Sequence, residues 1–263
     1  MPALHVLLLV LSLALDASLV SAARSDTAED WLRRSQAARF PGRDQRARFV
    51  ILIERSNATR LKRKGVALRR TRSDGLADRL FVVQSPESLA GLALLSKDQP
   101  AEPADQWLYL PTYRRARRVS IHGTGDAFVG SDFTYEDFGR VRIEAGKHRL
   151  FGETTVWGRA CVVIETIGQH PTLPYSRLIS TLDRENALPL RTEYYNEHGR
   201  LIRVGTLDKI APIDGWPTPV KISMTNEVDG GRSIINMVDV RYNVGVDPGV
   251  FTVQSLEGPH QFE

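Results

Sequence analysis

The sequence predicts a mainly β protein built on a single curved antiparallel sheet with a hollow side. About a dozen short segments of alternating apolar and polar residues follow one another between residues 48 and 240. Turn signals such as residues 196–199 (NEHG) and 229–231 (DGG) separate neighbouring segments. Many short strands at regular spacing are typical of a sheet that curls on itself. Strands with one apolar and one polar face give such a sheet its hollow side.

The N-terminus reads as a secretory signal peptide covering residues 1–22. The apolar run LHVLLLVLSLAL (residues 4–15) precedes the small-residue site Val20-Ser21-Ala22. An uncleaved membrane anchor is the alternative, but Asp16 and the shortness of the run count against it. We therefore predict one domain over residues 23–263, exported to the periplasm and without a transmembrane segment.

Cysteine usage agrees with a periplasmic location. Cys161 is the single cysteine of the 263 residues, so no disulfide can form within the chain. An exported fold without disulfides is held by its own core, which suits a bacterial periplasm. Cys161 lies in the run ACVVI (residues 160–164) and is predicted to be a packed thiol rather than a nucleophile.

One helix is predicted at the start of the mature chain, over residues 26–39. Asp26 followed by Glu29 resembles a capping box, and Pro41-Gly42 ends the pattern. The face predicted to be buried comprises Ala28, Trp31, Leu32 and Ser35.

The predicted strands follow in chain order. They contain residues 48–53, 65–68, 80–83, 92–95, 107–110, 118–121, 160–164, 176–179, 188–195, 201–204, 219–224 and 234–240.

Charge is modestly positive, with a formal net charge of +4 and basic runs at residues 60–72 and 114–118. The runs fit anionic lipid head groups, nucleic acid or simply a solvated strand face. Export removes most of the case for nucleic acid.

Residues 126–138, DAFVGSDFTYEDF, alternate carboxylates with aromatic rings. Three interpretations compete: a metal site, a catalytic acid pair, and an amphipathic segment. The carboxylate spacing does not fit a calcium loop, and the sequence has no H-E-x-x-H, G-x-S-x-G or phosphate-loop motif. A short amphipathic lid over the hollow is therefore predicted, with a loop pinned over an ordinary core as the alternative.

In this lid, Ser131 or Asp132 is expected to cap a helical turn. Phe128, Phe133 and Phe138 are expected to face inward. The carboxylates of Asp132, Glu136 and Asp137 are expected to stay in water or to pair with arginines of residues 114–118 such as Arg117 and Arg118.

Longer motifs resemble a known family. WLYLP (residues 107–111), RRV (117–119) and FVGSDFTYED (128–137) resemble the outer-membrane lipoprotein-sorting protein family, which is similar to the carriers LolA and LolB. The resemblance continues in residues 188–195 (LPLRTEYY), 199–201 (GRL) and 251–257 (FTVQSLE).

The resemblance implies an open, strongly curved half-barrel whose apolar hollow holds lipid or lipoprotein acyl chains. It implies a non-enzymatic periplasmic carrier without a cofactor, with an inner-membrane exporter of the RND or ABC type as an additional partner. Expected ligand-binding or lid residues are Trp107, Tyr109, Phe128, Phe133, Tyr135 and Phe138. Expected anchoring or polar residues are Arg117, Arg118, Ser131, Asp132, Glu136 and Asp137.

Two other functions stay open on the sequence alone. One is an accessory module of a lipid exporter that carries no cargo of its own. The other is a hydrolase that uses Asp132, Glu136 or Asp137 as acid or base.

Overall fold

The computed structural model describes residues 26–100, 102–120, 125–168 and 175–258, so the predicted signal peptide lies outside the described residues. Thirteen strands form one antiparallel sheet, which confirms the mainly β prediction. They are β1 (Asp44–Glu54), β2 (Arg60–Thr71), β3 (Ala77–Ser85), β4 (Ala93–Lys97), β5 (Asp105–Leu110), β6 (Arg115–Arg118), β7 (Gly146–Val156), β8 (Arg159–Gly168), β9 (Arg177–Asp183), β10 (Pro189–Tyr195), β11 (Leu201–Ile213), β12 (Trp216–Asn226) and β13 (Arg232–Tyr242). The described α-helices are α1 (Ala28–Ala38) and α2 (Val253–Glu257).

The chain builds the sheet from its middle. Strand β1 pairs with β13 at the centre, β2 to β6 run outward to one edge, and β7 to β13 return inward from the other edge. The connection between β6 and β7 must therefore cross from one edge of the sheet to the other. We call this connection, residues 119–145, the crossover segment.

The sheet is strongly curved. Nine steps separate β3 from β7 in the strand order, which would be about 43 Å in a flat sheet at about 4.8 Å per step. Yet Phe81 of β3 and His148 of β7 line the same cavity. Only a sheet that curls around a hollow brings these residues together, as predicted.

Strands β2 to β5 are covered on both faces. Phe81 and Leu94 pack into the cluster on the hollow side, whereas their neighbours Leu80 and Leu95 pack into a cluster with Phe251. Successive strand residues point to opposite faces, so the crossover segment covers the concave face here and the C-terminal segment covers the convex face. This double burial explains why these strands read as nearly continuous apolar runs.

Helix α1 packs against the other half of the sheet. Thr27 and Asp30 form the capping box, one residue later than the predicted Asp26 start, because the Thr27 hydroxyl accepts from the Asp30 N–H. Trp31 and Leu32 pack with Ile164 of β8 and Leu182 of β9. The predicted buried face is confirmed for Ala28, Trp31, Leu32 and Ser35.

The sequence prediction missed the short helix α2 and differs from the structure in two strands. Strand β7 was not predicted, because most of its residues are exposed and give no apolar alternation. The strand expected at residues 118–121 instead lies at Arg115–Arg118, since Arg114 adopts a left-handed conformation (φ 46°) after a turn and starts the strand earlier. Cys161 is buried, as predicted, and its thiol donates to the Arg159 carbonyl at 3.3 Å.

Candidate functional site

The middle of the crossover segment forms a plug on the concave face, which we define as residues 126–138. Its backbone folds back on itself: the Phe128 N–H donates to the Phe133 carbonyl at 2.8 Å, and Ala127 bridges Thr134. Val129 (φ 47°) and Gly130 (φ 76°) make the reversal in left-handed conformations. A glycine takes such a conformation at little cost, whereas valine does not.

Aromatic side chains fix the plug to the sheet. Phe128 is fully buried, and its ring centroid lies 4.6 Å from that of Phe138. Phe138 in turn lies 4.7 Å from Phe81 of β3, edge to face. Edge-to-face contacts of this kind favour one packing geometry in addition to the area they bury.

The Asp132 carboxylate anchors one end of the plug. It accepts from the Ser233 hydroxyl at 2.6 Å and pairs with Arg55 at 3.1 Å. The Asp132 N–H donates to the same hydroxyl at 2.9 Å. Gly231 lets the carboxylate approach this closely, because a Cβ there would lie 3.0 Å from an Asp132 oxygen.

The Asp137 carboxylate anchors the other end. It pairs with Arg203 of β11 at 2.9 Å and caps the turn Tyr135–Phe138 by accepting from the Thr134 N–H at 2.7 Å. Glu136 pairs with Arg142 at 3.4 Å. The plug therefore joins β11 and β13 through buried ion pairs and hydrogen bonds.

These partners correct two sequence predictions. The cap of the turn is Thr134 with Asp137, whereas Ser131 instead bonds the plug to itself by donating to the Phe128 carbonyl. Arg118 pairs with Asp105, and Arg117 lies over the Tyr113 ring. Both arginines are exposed on the edge strand β6. The plug carboxylates pair instead with Arg55, Arg142 and Arg203.

Beneath the plug and α1 lies a cavity of about 270 Å³. Its wall draws on nearly the whole sheet and is mostly apolar. Apolar and aromatic residues lining it are Leu32, Phe40, Phe49, Ile51, Phe81, Phe128, Phe133, Phe138, Leu178, Leu182, Tyr194, Leu207, Ile222, Met224, Ile235 and Met237.

A polar rim adjoins this wall at β10 and β11. The Arg203 guanidinium lies 4.5 Å from the centroid of the Tyr194 ring, and the Tyr175 ring lies 5.2 Å from the same ring. Burial, followed by the nearby Asp137 carboxylate, raises the pKa of Tyr194 to about 12. The Tyr194 hydroxyl therefore stays protonated and can donate a hydrogen bond at neutral pH.

His148 joins the end of the crossover segment to the sheet. One ring nitrogen, Nε2, lies 2.6 Å from the Ile143 carbonyl oxygen and the other, Nδ1, lies 2.8 Å from the Thr166 hydroxyl. A carbonyl oxygen only accepts, so Nε2 carries a proton. Both nitrogens are thus used in holding the segment.

The predicted ligand-binding residues separate into three groups. Phe128, Phe133 and Phe138 line the cavity. Trp107 and Tyr109 of β5 pack instead on the opposite face of the sheet. Tyr135 packs into the hollow-side cluster without lining the cavity.

Sequence reasoning missed several lining residues. Arg39 and Phe40 follow α1 directly, and Tyr194 stands on β10. The signal for Tyr194 was its even spacing from Leu190 and Thr192, which places these residues on one face of the strand. Arg39 and Phe40 gave no such signal because they lie outside any strand.

Among the described residues, no helix is long and apolar enough to cross a membrane.

The open antiparallel sheet curled around a plugged apolar cavity defines the fold, a half-barrel similar to that of a LolA superfamily protein. A DUF1329 family protein of Desulfovibrio piger superposes with a TM-score of 0.81 at 23% identity, covering 88% of this chain and 100% of that one. A putative outer membrane lipoprotein-sorting protein domain of Vibrio parahaemolyticus gives 0.81 at 24% identity, with the same coverage of both chains. A LolA superfamily protein of Nitrosomonas europaea gives 0.69 at 19% identity, covering 87% and 98%.

These likenesses show the fold and confirm the resemblance inferred from the sequence. A protein-family model described as "Uncharacterized protein" matches residues 75–258, and the chain belongs to that family. No curated protein matches the chain significantly in sequence.

Proposed function

We propose that the protein is a non-enzymatic periplasmic carrier that holds lipid or lipoprotein acyl chains in its cavity and moves them toward the outer membrane. The observation that carries the proposal is the apolar cavity of about 270 Å³ that the curved sheet forms beneath the plug. Solved structures with this fold include one titled a putative lipoprotein-sorting protein domain. The fold and the cavity together support a carrier.

The energetics suit a carrier. Each buried methylene contributes about 0.8 kcal/mol, so about ten methylenes contribute about 8 kcal/mol before the costs of ordering the chain. A dry wall of Phe, Leu, Ile and Met supplies this term without directional bonds. A cavity that recognises chains by area alone accepts different chain lengths and can release them to another apolar surface.

The plug carboxylates support a structural role rather than catalysis. Asp132 holds Arg55 and the Ser233 hydroxyl of β13, whereas Asp137 holds Arg203 and the Thr134 N–H of the plug itself. A general acid or base must reach a substrate proton, within hydrogen-bond distance or through one water. The Asp132 carboxylate does not line the cavity, and the Asp137 carboxylate, which does, is held by Arg203 and by the Thr134 N–H. This arrangement favours a binding function.

Extraction of ligands from protein isolated from its native host tests the proposal directly. We expect mass spectrometry of an organic extract to find acyl-chain lipid in stoichiometric amount. An extract without lipid, together with no uptake of a fluorescent lipid by the purified protein, would favour an accessory module of an RND-type lipid exporter that carries no cargo.

A pair of buried phenylalanines separates ligand contact from fold stability. Phe133 is 4% exposed and lines the cavity, whereas Phe251 is fully buried on the convex face. Phe133→Ala and Phe251→Ala should each destabilise the fold by about 3–5 kcal/mol. Only Phe133→Ala should weaken fluorescent-lipid affinity at temperatures where both variants remain folded. Equal lipid affinities for the two folded variants would show that the cavity does not bind the lipid.

A further inference from the structure

A second cavity, of about 230 Å³, adjoins the apolar cavity. We call it the arginine pocket and define it by Arg39, Arg69, Arg79 and Arg140, which line it together with Phe40. The Arg69 and Arg79 guanidinium carbons lie 5.2 and 5.4 Å from the Phe40 ring centroid, and that of Arg39 lies 5.9 Å away. Three guanidinium groups thus surround one aromatic ring.

Two of these arginines are deeply buried and lack partners for some of their N–H groups. Arg69 is 9% exposed and Arg79 is 5% exposed. Among the described residues, Nε and Nη1 of Arg69 and Nε of Arg79 and Arg140 are buried without a hydrogen-bond acceptor. Leaving a buried charged donor unsatisfied is costly, so an acceptor atom that reached these donors would stabilise the pocket.

The bonds these arginines do make leave the pocket positively charged. Arg69 donates to the Thr71 hydroxyl at 2.9 Å, and Arg79 pairs with Asp98 at 2.6 Å. The second Asp98 oxygen accepts from the Ala77 N–H at 3.1 Å. Arg140 pairs with Glu144 at 2.8 Å and also donates to the Pro100 carbonyl.

The ion pairs with Asp98 and Glu144 relieve only part of the charge repulsion inside the pocket. Five arginines line it (the four named above and Arg33), against the single carboxylate of Asp98. Arg69 and Arg79 stand directly opposite each other on β2 and β3, an arrangement that destabilises a sheet when the charges are alike. Burial and then Arg79 lower the pKa of Arg69 to about 10, so Arg69 still carries its charge at neutral pH.

The arginine pocket and the apolar cavity lie side by side. Residues that line both are Gln36, Arg39, Phe40, Gly139, Arg140 and Val141. A ligand that passes between these shared residues would place an anionic group among the arginines and an apolar chain under the plug. Guanidinium groups match phosphate and carboxylate oxygens with paired N–H donors.

We propose that the arginine pocket binds the anionic head group, phosphate or carboxylate, of an amphiphile whose chain lies in the apolar cavity. This inference rests on the proposed carrier function and narrows its cargo to anionic amphiphiles. The head group satisfies the buried guanidinium donors and cancels the Arg69–Arg79 repulsion. Neutral amphiphiles of the same chain length use only the apolar cavity.

Three probes test this on the full mature chain: dodecyl phosphate, 1-dodecanol and inorganic phosphate. The two amphiphiles are used at submicellar concentration, and their binding is measured by displacement of the neutral dye N-phenyl-1-naphthylamine. We expect dodecyl phosphate to bind at least tenfold more tightly than dodecanol, which corresponds to about 1.4 kcal/mol. Inorganic phosphate, titrated by calorimetry, should bind much more weakly than either amphiphile.

Arg69→Met should remove the advantage of dodecyl phosphate, lowering its affinity about tenfold, and leave dodecanol affinity unchanged. The matched control is Arg60→Met, which removes an exposed arginine of the same strand and should change neither affinity. Because Arg69→Met relieves the repulsion from Arg79, the ligand-free variant should be as stable as the wild type. If the Arg69→Met variant does not fold, Arg69→Gln, which retains a donor for Thr71, is measured in its place.

Each remaining outcome is decisive. Equal affinities of dodecyl phosphate and dodecanol for the wild type would overturn the arginine pocket and leave the carrier function intact. Failure of both amphiphiles to bind would overturn the carrier function as well. Inorganic phosphate binding as tightly as dodecyl phosphate would make the pocket a site for the free anion and overturn the amphiphile assignment.

Discussion

Two regions of the sheet differ in how they are covered. Strands β2 to β5 carry the plug on one face and the C-terminal segment on the other, with Phe128 and Phe251 fully buried. Strand β7, at the opposite edge, leaves Phe151 and Leu150 about half exposed. One side of the half-barrel is therefore a rigid double-sided wall, and the other side is a thin rim.

Truncation of the plug's buried ring should give the largest effect. Phe128→Ala is expected to lower the free energy of unfolding by about 3–5 kcal/mol, since the ring is fully buried in the hollow-side cluster. Urea unfolding followed by tryptophan fluorescence measures it. A loss below about 1 kcal/mol would mean that the plug is not part of the rigid wall.

Loss of one plug anchor should cost less. Asp132→Asn keeps the size of the side chain but removes the charge that holds Arg55 and weakens the bond to Ser233. We expect a loss of about 1–3 kcal/mol in unfolding free energy.

Asp239→Asn is the control for this anchor, because Asp239 forms an exposed pair with Arg48. Exposed pairs contribute about 0–1 kcal/mol. If both substitutions cost the same, the buried anchor does not stabilise the plug.

Two glutamates should respond oppositely to pH. Burial raises the pKa of Glu136 in the plug, outweighing the attraction of Arg142. Its contribution to stability is full below the unfolded pKa of about 4.3 and is lost as pH rises through the folded pKa. Hydrogen bonds from Arg149 and then Arg177 lower the pKa of Glu165 on β8. Its contribution is present above pH of about 4.3 and is lost as pH falls through the folded pKa.

Urea midpoints of Glu136→Gln and Glu165→Gln at acidic and neutral pH measure both effects. When the pH is raised from acidic to neutral, the urea midpoint of Glu136→Gln should rise relative to that of the wild type. The urea midpoint of Glu165→Gln should fall relative to that of the wild type. Parallel shifts of the two variants would contradict the assignment of burial to one carboxylate and ion pairing to the other.

The smallest effect is expected at the thin rim. Phe151→Ala on β7 should change the unfolding free energy by no more than about 0.5 kcal/mol, as for most exposed positions. A larger loss of unfolding free energy in the purified protein would show that β7 is covered. It would weaken the contrast between strands β2 to β5 and strand β7.

The elements with strong alternation were predictable from the sequence. So were the strands around Leu80 and Leu94, whose burial on both faces gives nearly continuous apolar runs. Strand β7 has neither an apolar run nor an apolar alternation and was therefore missed. The plug was located by its rings, but its anchors were not, because Arg55 and Arg203 lie about seventy residues away on either side of it in sequence. Contacts at that separation depend on strand order.

The arginine pocket shows a second limit. Arg69 belongs to a basic run that reads as a solvated face, although the run alternates. Arg70 points to the convex side, where it pairs with Asp78, and Arg69 points to the hollow side. To decide which residues of β2 face the hollow, one must know which of its two alternating sets of side chains lies on that side. The pairing of Ala67 with Phe81 shows this, but it is known only once β2 and β3 are known to pair.

The crossover segment leaves one edge of the sheet at Arg118 and joins the other at Gly146. Together with the thirteen hydrogen-bonded strands it therefore closes a ring around the hollow. A flap with one free end could swing clear of the hollow, whereas a segment tied at both ends can lift but still crosses it. A chain that lies between plug and sheet is encircled, so it must be threaded in by its tip and withdrawn lengthwise. Cargo with a bulky group at both ends would be excluded unless neighbouring strands separated.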